Sequence, residues 1–192
     1  MNIHFVCRGN VFRSRMAEAY ARSKIGKHIK VSSSGIEAQI YPEDYLSSYA
    51  QIPLEEAGLT KYASSKRVQT SQLLLNKANV IIFVDPSVEK DTRAKFKVPL
   101  KAYVRTWNID DIDGHDLGQP TNDEKIALGK ETYSKIRKGV DKLLRDVKIT
   151  LIVVGLGICF WVADAGATAY LHAKDNCPLQ SCTGIRVESI SR

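Results

Sequence analysis

Cysteine is scarce in this 192-residue chain, and its few copies sit near the two ends. Cys7 stands alone near the N-terminus; Cys159, Cys177 and Cys182 lie near the C-terminus, and none falls between residues 8 and 158. That gap excludes a disulfide framework for most of the chain and fits a reducing compartment. Metal-ligand spacing is missing as well. The four histidines (His4, His28, His115, His172) are scattered and read as structural or exposed, so neither a metal nor a cofactor is expected. The N-terminus carries no basic-then-apolar leader, and no secretory signal peptide is expected. Acidic side chains are outnumbered 21 to 28 by lysine and arginine, which gives a net charge of +7. The imbalance lies wholly in residues 1–148, with 25 basic against 18 acidic residues. Such an excess suits an anionic substrate or an anionic membrane surface; it is too mild for nucleic acid, and no nucleic-acid motif is present. The rest is ordinary for a globular protein: 44% apolar and 26% charged residues, in a length that suits one domain with an appendage.

What is there is organised around Phe5-Val6-Cys7-Arg8-Gly9-Asn10-Val11-Phe12-Arg13-Ser14. Ile3 to Val6 reads as a buried strand, the next residues as a tight loop, and Ser14 as a helix start. Gly9 and Asn10 tolerate backbone angles that most residues avoid. A loop of this kind can turn successive N–H groups inward, and the positive end of the following helix completes an anion-binding nest. A thiol at its mouth loses its proton readily beside a helix N-terminus and a guanidinium. Arg13 can grip two phosphate oxygens at once. The chemistry implied is attack of the Cys7 thiolate on a bound phosphoryl group. Cysteine and arginine at this spacing are common by chance; their placement between strand and helix is the informative part. Ser14 can donate its hydroxyl to the sulfur, or act as a helix N-cap.

Downstream, helices are expected over residues 14–26, 53–57 (closed by Gly58), 71–77, 86–97 and 125–145, and strands over 30–33, 80–84 and 101–104. Strands alternating with helices at this spacing imply a doubly wound parallel sheet with the site at the carboxyl end of the first strand. Tyr41, Tyr45 and Tyr49 fall in the segment after the second strand, either as an ordinary loop or as rings lining the pocket mouth. Phosphoryl transfer to a cysteine also needs an acid for the leaving oxygen and a base for water, roles that one carboxyl group can fill in turn. Asp110, Asp111, Asp113 and Asp116 are the candidates.

Val6-Cys7-Arg8-Gly9-Asn10-Val11-Phe12-Arg13-Ser14, followed by Met16-Ala17-Glu18-Ala19, resembles the signature of the low-molecular-weight protein tyrosine phosphatases. Val31-Ser32-Ser33-Ser34-Gly35, Glu56-Ala57-Gly58-Leu59, Ala78 to Asp85 and Trp107-Asn108-Ile109-Asp110-Asp111 resemble further landmarks of that family, in order, over residues 1–146. The resemblance implies an α/β fold of three layers, with a four-stranded, flavodoxin-like parallel sheet. It implies Cys7 as nucleophile, and the loop from Arg8 through Gly9, Asn10, Val11 and Phe12 to Arg13 and Ser14 as the phosphate cradle. Asn10 would tie that loop into shape through its side-chain amide. The general acid, matched through Trp107-x-Ile109-x, falls on Asp111; Ile112 replaces the family's proline, so Asp110 and Asp113 stay open. Phe12 stands where many members carry a second cysteine that protects the nucleophile, which leaves Cys7 open to overoxidation. Arg15 replaces a frequent proline and adds positive charge near the pocket. Paired tyrosines that follow the acid in many members are absent, so an aromatic wall would have to come from elsewhere.

Ile149 to Leu171 forms a 23-residue stretch whose only charge is Asp164. It is long enough for an apolar membrane-spanning helix, although the aspartate costs roughly 2–3 kcal/mol on insertion scales. Lys138, Lys142, Arg145 and Lys148 precede it and would hold residues 1–148, the catalytic domain, on the cytoplasmic side. Cys177 and Cys182 of the tail, residues 172–192, could then pair outside. A helix packed on the domain or at a subunit contact is the rival. Function follows the loop: hydrolysis of phosphotyrosine in proteins, or of small aryl phosphates. Arginine-phosphate phosphatases resemble the same family but typically carry threonine where Val11 stands. Arsenate reduction on the same scaffold needs further cysteines near the site. A non-catalytic phosphate-binding regulator would keep the loop without a working acid.

Overall fold

Ile3, Phe5 and Val6 are fully buried along β1 (Asn2–Cys7), which makes it a central strand. In this computed structural model residues 1–26, 28–112 and 121–147 are described. The contacts divide the chain into two units, Met1–Leu143 and Leu144–Arg192. The apolar stretch 149–171, the tail and the candidates Asp113 and Asp116 lie outside the described residues, as do His115, His172 and the three later cysteines.

Around β1 the sheet is all parallel and four-stranded, in the order β2 (Lys30–Gly35), β1, β3 (Val80–Phe83), β4 (Tyr103–Thr106). The strand order reverses between β1 and β3, so a crevice opens at their carboxyl ends, where ligands bind in doubly wound sheets. Helix α1 (Arg13–Lys24) follows β1 directly and buries Met16, Ala17, Tyr20 and Ala21. Val6, Ile81, Phe83 and Val84 pack with Leu75 of α3 (Gln72–Lys77) and Val88 of α4 (Pro86–Lys95). On the other side, Phe5 meets Trp107 with ring centroids 5.7 Å apart, and Trp107 lies so close to Gly139 that a Cβ there would sit 3.0 Å from its ring. Gly139 belongs to the last described helix, over residues 122–147.

Several boundaries differ from the sequence expectation, each for a physical reason. The second helix, α2 (Ser48–Glu56), begins five residues before Pro53 and carries that proline inside. Proline has no N–H for the carbonyl four residues back, which is that of Tyr49. A Cβ at Gly129 would lie 2.5 Å from that same carbonyl oxygen, so glycine lets the last helix close over the gap. Gly58, at φ +68°, ends the segment as expected. Strand β4 falls two residues later than the apolar run because pairing with β3 (Ile81 with Val104, Phe83 with Thr106) sets its register. Helix α1 starts at Arg13, and Phe12 occupies the N-cap without a side-chain cap bond. Ser14 is therefore not an N-cap, and its hydroxyl is committed elsewhere.

Candidate active site

The loop between β1 and α1 is held from outside by its carbonyls. Those of Cys7, Arg8 and Val11 accept from the backbone N–H groups of Ile36, Glu37 and Ser47 at 2.9–3.1 Å. Gly35 makes this close approach possible: a Cβ there would meet Arg8 O and Asn10 N at 2.6 Å, both backbone atoms that cannot yield cheaply. Asn10 takes the left-handed conformation, φ 53°, which asparagine tolerates. Its Oδ1 accepts from Val68 N at 2.7 Å, and its Nδ2 donates to Ser14 Oγ at 2.9 Å and Ser33 Oγ at 2.8 Å. Ser33 in turn donates to Glu18 at 2.6 Å, and Glu18 also accepts from Ser64 and pairs with Arg22. Burial raises the Glu18 pKa above its ordinary value, although these donors oppose the shift.

The chain of donors has one consistent direction. A carboxylate can only accept, so Ser33 gives its proton to Glu18 and receives from Asn10. Ser14 likewise receives from Asn10, which leaves its own O–H for Cys7 Sγ, 2.9 Å away. The Asn10 N–H points at the same sulfur from 3.1 Å. Two donors thus converge on the one sulfur. Helix α1 presents its positive end here without an acidic residue in the first turn.

Arg13 is buried yet fully engaged. Its Nη1 donates to Asp85 Oδ2 at 2.7 Å and to Ile109 O at 2.8 Å, and its Nη2 donates to Asp111 Oδ2. Asp85 caps α4 by accepting from Val88 N at 2.9 Å and also accepts from Ser87 at 2.6 Å. Burial would raise the Asp85 pKa, but these donors and the Arg13 charge win and hold the carboxyl below its ordinary range. The segment bearing Asp111 is fixed through Trp107 N and Ile109 N, which donate to Phe83 O at 2.8 Å and Val84 O at 3.0 Å.

Cys7, Arg13 and Asp111 line one cavity of about 130 Å³, together with Arg8, Gly9, Val11, Phe12, Tyr41, Tyr45, Ser47, Tyr49 and Ile112. The open question about the tyrosines is thereby answered: all three residues line the pocket, and Tyr41 and Tyr45 stack with ring centroids 6.0 Å apart and planes 6° from parallel. Of the candidate acids, Asp111 lines the cavity, whereas Asp110 is exposed and does not. Asn10 and Ser14 sit behind the loop rather than on its surface, both fully buried. Arg8 turns outward to Glu37 and Asp91. Arg15, expected to add charge near the pocket, is 2% exposed and does not line the cavity; its guanidinium donates to the backbone carbonyls of Tyr45 and Ser64 behind the lining. Sequence reasoning missed Asp85, Ser33 and Glu18; the Asp85-Pro86 pair, a helix-start signal, was the one local clue to the first of them. A larger cavity of about 750 Å³, lined by Asn2, His4, Lys30 and Lys77 among others, opens at the opposite end of the sheet; it holds neither the thiol nor the loop.

A thiol under two donors, a guanidinium across the cavity and a carboxyl on it can together perform transfer of a phosphoryl or similar oxyanion group. Comparison with known proteins agrees with that chemistry. The chain is similar to an arsenate reductase of Bacillus subtilis, 27% identical over 144 residues that cover 75% of this chain and 92% of the relative. Among solved structures it is similar to an arginine phosphatase from Geobacillus stearothermophilus (TM-score 0.65, 21% identity, 79% of this chain and 95% of that one). It is also similar to a low molecular weight protein tyrosine phosphatase from T. tengcongensis (TM-score 0.61, 23% identity, 76% and 99%). The four-stranded sheet is thus of the flavodoxin-like type. Residues 2–151 match the family model described as low molecular weight phosphotyrosine protein phosphatase, and this chain belongs to that family.

Proposed function

We propose that the chain hydrolyses phosphotyrosine in proteins, or small aryl phosphates, through a phosphocysteine intermediate on Cys7. The observation that carries this reading is the convergence of Ser14 Oγ and Asn10 N on Cys7 Sγ, in a cavity that also holds Arg13 and Asp111. In the first step the thiolate forms an S–P bond as the ester P–O bond breaks. Loop N–H groups from Arg8 to Arg13 and the Arg13 guanidinium meet the charge on the phosphoryl oxygens. A bound phosphate takes Arg13 from Asp111 and frees that carboxyl to hold a proton, which it delivers to the leaving phenolate. In the second step the Asp111 carboxylate takes a proton from water attacking phosphorus, the S–P bond breaks, and phosphate leaves with the thiolate restored.

Preference for an aryl ester is supported by the tyrosine wall, which offers faces for ring stacking, and by the apolar Val11 at the cavity. A panel of phosphotyrosyl, phosphoseryl and phosphoarginyl peptides tests it. Turnover should be confined to phosphotyrosine, absent in Cys7→Ser, and slowed about 10²- to 10⁴-fold in Asp111→Asn. Turnover of phosphoarginine instead would overturn the substrate. Phosphate binding without any turnover would identify a regulator, and full activity in Asp111→Asn would move the acid elsewhere. A second reading, arsenate reduction, is favoured by the name of the Bacillus relative. It requires a cysteine relay, and among the described residues Cys7 is the one cysteine. Arsenate-dependent thiol consumption in the purified protein would decide for it.

Among the described residues no helix is long and apolar enough to cross a membrane. For the stretch 149–171, outside them, we propose an anchor that leaves the catalytic domain, residues 1–148, on the cytoplasmic side. Its support is the apolar run with the basic residues before it.

A further inference from the structure

Arg15 is a buried cation that the reaction above leaves unused. It is the third residue of α1, 2% exposed, and its guanidinium serves two backbone carbonyls from separate segments. Nη1 donates to Tyr45 O at 2.7 Å, and Nη2 donates to Ser64 O. Nε is buried without a hydrogen-bond partner. Among the described residues Arg15 makes no ion pair; Glu18, on the same helix, gives its oxygens to Ser33, Ser64 and Arg22. A cation so placed is costly, because burial removes its hydration without a carboxylate against it, and it also stands at the positive end of a helix. Burial accordingly lowers its pKa, opposed by the charges of Glu18 and Cys7. A residue with these costs and two carbonyl contacts acts as a brace.

Tyr45 is the half of the stacked pair that needs bracing. The residue is 43% exposed and its ring rests on Tyr41, and a Cβ at Gly9 of the loop would meet the Tyr41 ring at 2.5 Å. The backbone of this segment is tied to the loop at Ser47, through Val11 O, and at Glu37, through Arg8 O. Between those ties, Arg15 reaches across from α1 to the Tyr45 carbonyl. The first turn of α1 therefore presents Arg13 to the cavity and, two residues on, Arg15 to the wall of that cavity.

We propose that Arg15 is a positioning residue that sets the aromatic wall against the phosphate loop and so selects aryl over alkyl phosphate esters. The inference rests on the reading of the cavity as a phosphomonoester site, and its test is built to separate the two. In the Cys7→Ser background, which binds without turnover, inorganic phosphate and phenyl phosphate are titrated by calorimetry. Phenyl phosphate should bind roughly three- to tenfold tighter than phosphate, the range expected of an aromatic contact. Adding Arg15→Met should erase that preference while the affinity for inorganic phosphate holds. Arg15→Lys, which can reach one carbonyl, should restore part of it. Tyr45→Leu should erase the same preference, and Arg15→Met should add nothing on top of it. Should Arg15→Met fail to fold, Arg15→Lys and Tyr45→Leu alone still decide: a preference unchanged in both overturns the inference. Equal weakening of both ligands by Arg15→Met would overturn it as well, leaving the site reading intact. Binding of neither ligand by the Cys7→Ser parent would overturn the site reading and this inference together.

Discussion

Arg13 meets the cavity already held by two carboxylates and a carbonyl, and the three serve different ends. Asp85 sits deepest and binds the helix terminus of α4 as well as the guanidinium, so it fixes Arg13 in direction. Asp111 is the outer partner, on the more exposed side, and is the one that a phosphate would displace in the proposed mechanism. The two jobs of Asp85 can be separated by substitution. Asparagine still caps a helix but lacks the charge; alanine lacks both. Asp85→Asn should keep near-native stability in urea unfolding while raising KM, and Asp85→Ala should raise KM and lose about 1 kcal/mol besides. Equal stability losses in the two variants would contradict the cap. Gly35 is a third decisive position. Because its Cβ would strike the loop backbone at 2.6 Å, Gly35→Ala should displace the loop and abolish phosphate binding, read by calorimetry, with unchanged affinity as the contrary result.

At the scale of elements, the pairing of β1 with β2 carries a pH dependence. His4 lies buried in that pairing, with Nδ1 2.8 Å from Ser32 Oγ and Nε2 2.8 Å from Ser34 Oγ. Burial lowers its pKa from 6.5 to about 4. The fold therefore holds His4 neutral while the unfolded chain takes up a proton below pH 6.5. Stability should fall as pH drops from 6.5 to about 4, by up to roughly 3 kcal/mol in total. Glu18, whose pKa burial raises, has the opposite sense, and its share of stability is lost as pH rises. Urea unfolding of the parent and His4→Asn at pH 7 and pH 4.5 isolates the histidine: the difference between them should shrink at the lower pH. A constant difference would contradict the assignment.

The same elements mark how far the sequence could be read. The loop was legible because strand, cysteine, Gly9-Asn10, arginine and helix are contiguous, and local chemistry alone reports them. The α/β alternation was legible because β1 and β3 are nearly unbroken apolar runs. Strand β4 lies off the apolar run that the sequence offers because its residues are mostly half-exposed and its register is imposed by β3. Helix α2 starts earlier than its proline signals because Pro53 sits inside the helix, where the Tyr49 carbonyl it leaves free is approached by Gly129, far along the chain. The braces of Arg13 and Asn10 come from residues tens of positions away, and no local pattern announces them.

For the whole molecule we propose two separable roles, catalysis for the basic residues 1–148 and attachment for the apolar stretch beyond. Deleting residues 149–192 should move the protein from the membrane to the soluble fraction while kcat/KM for an aryl phosphate is kept. An unchanged distribution between the fractions would remove the anchor. The central claim, that Cys7 becomes phosphorylated in turnover, has a more direct test. With an aryl phosphate whose phenolate leaves without help, Asp111→Asn still forms the intermediate but hydrolyses it slowly. Rapid acid quench and mass spectrometry of that variant should find one phosphoryl group on the peptide containing Cys7, absent when Cys7→Ser is added. A quenched Asp111→Asn enzyme that releases phenol yet carries no phosphoryl group on Cys7 would contradict the account.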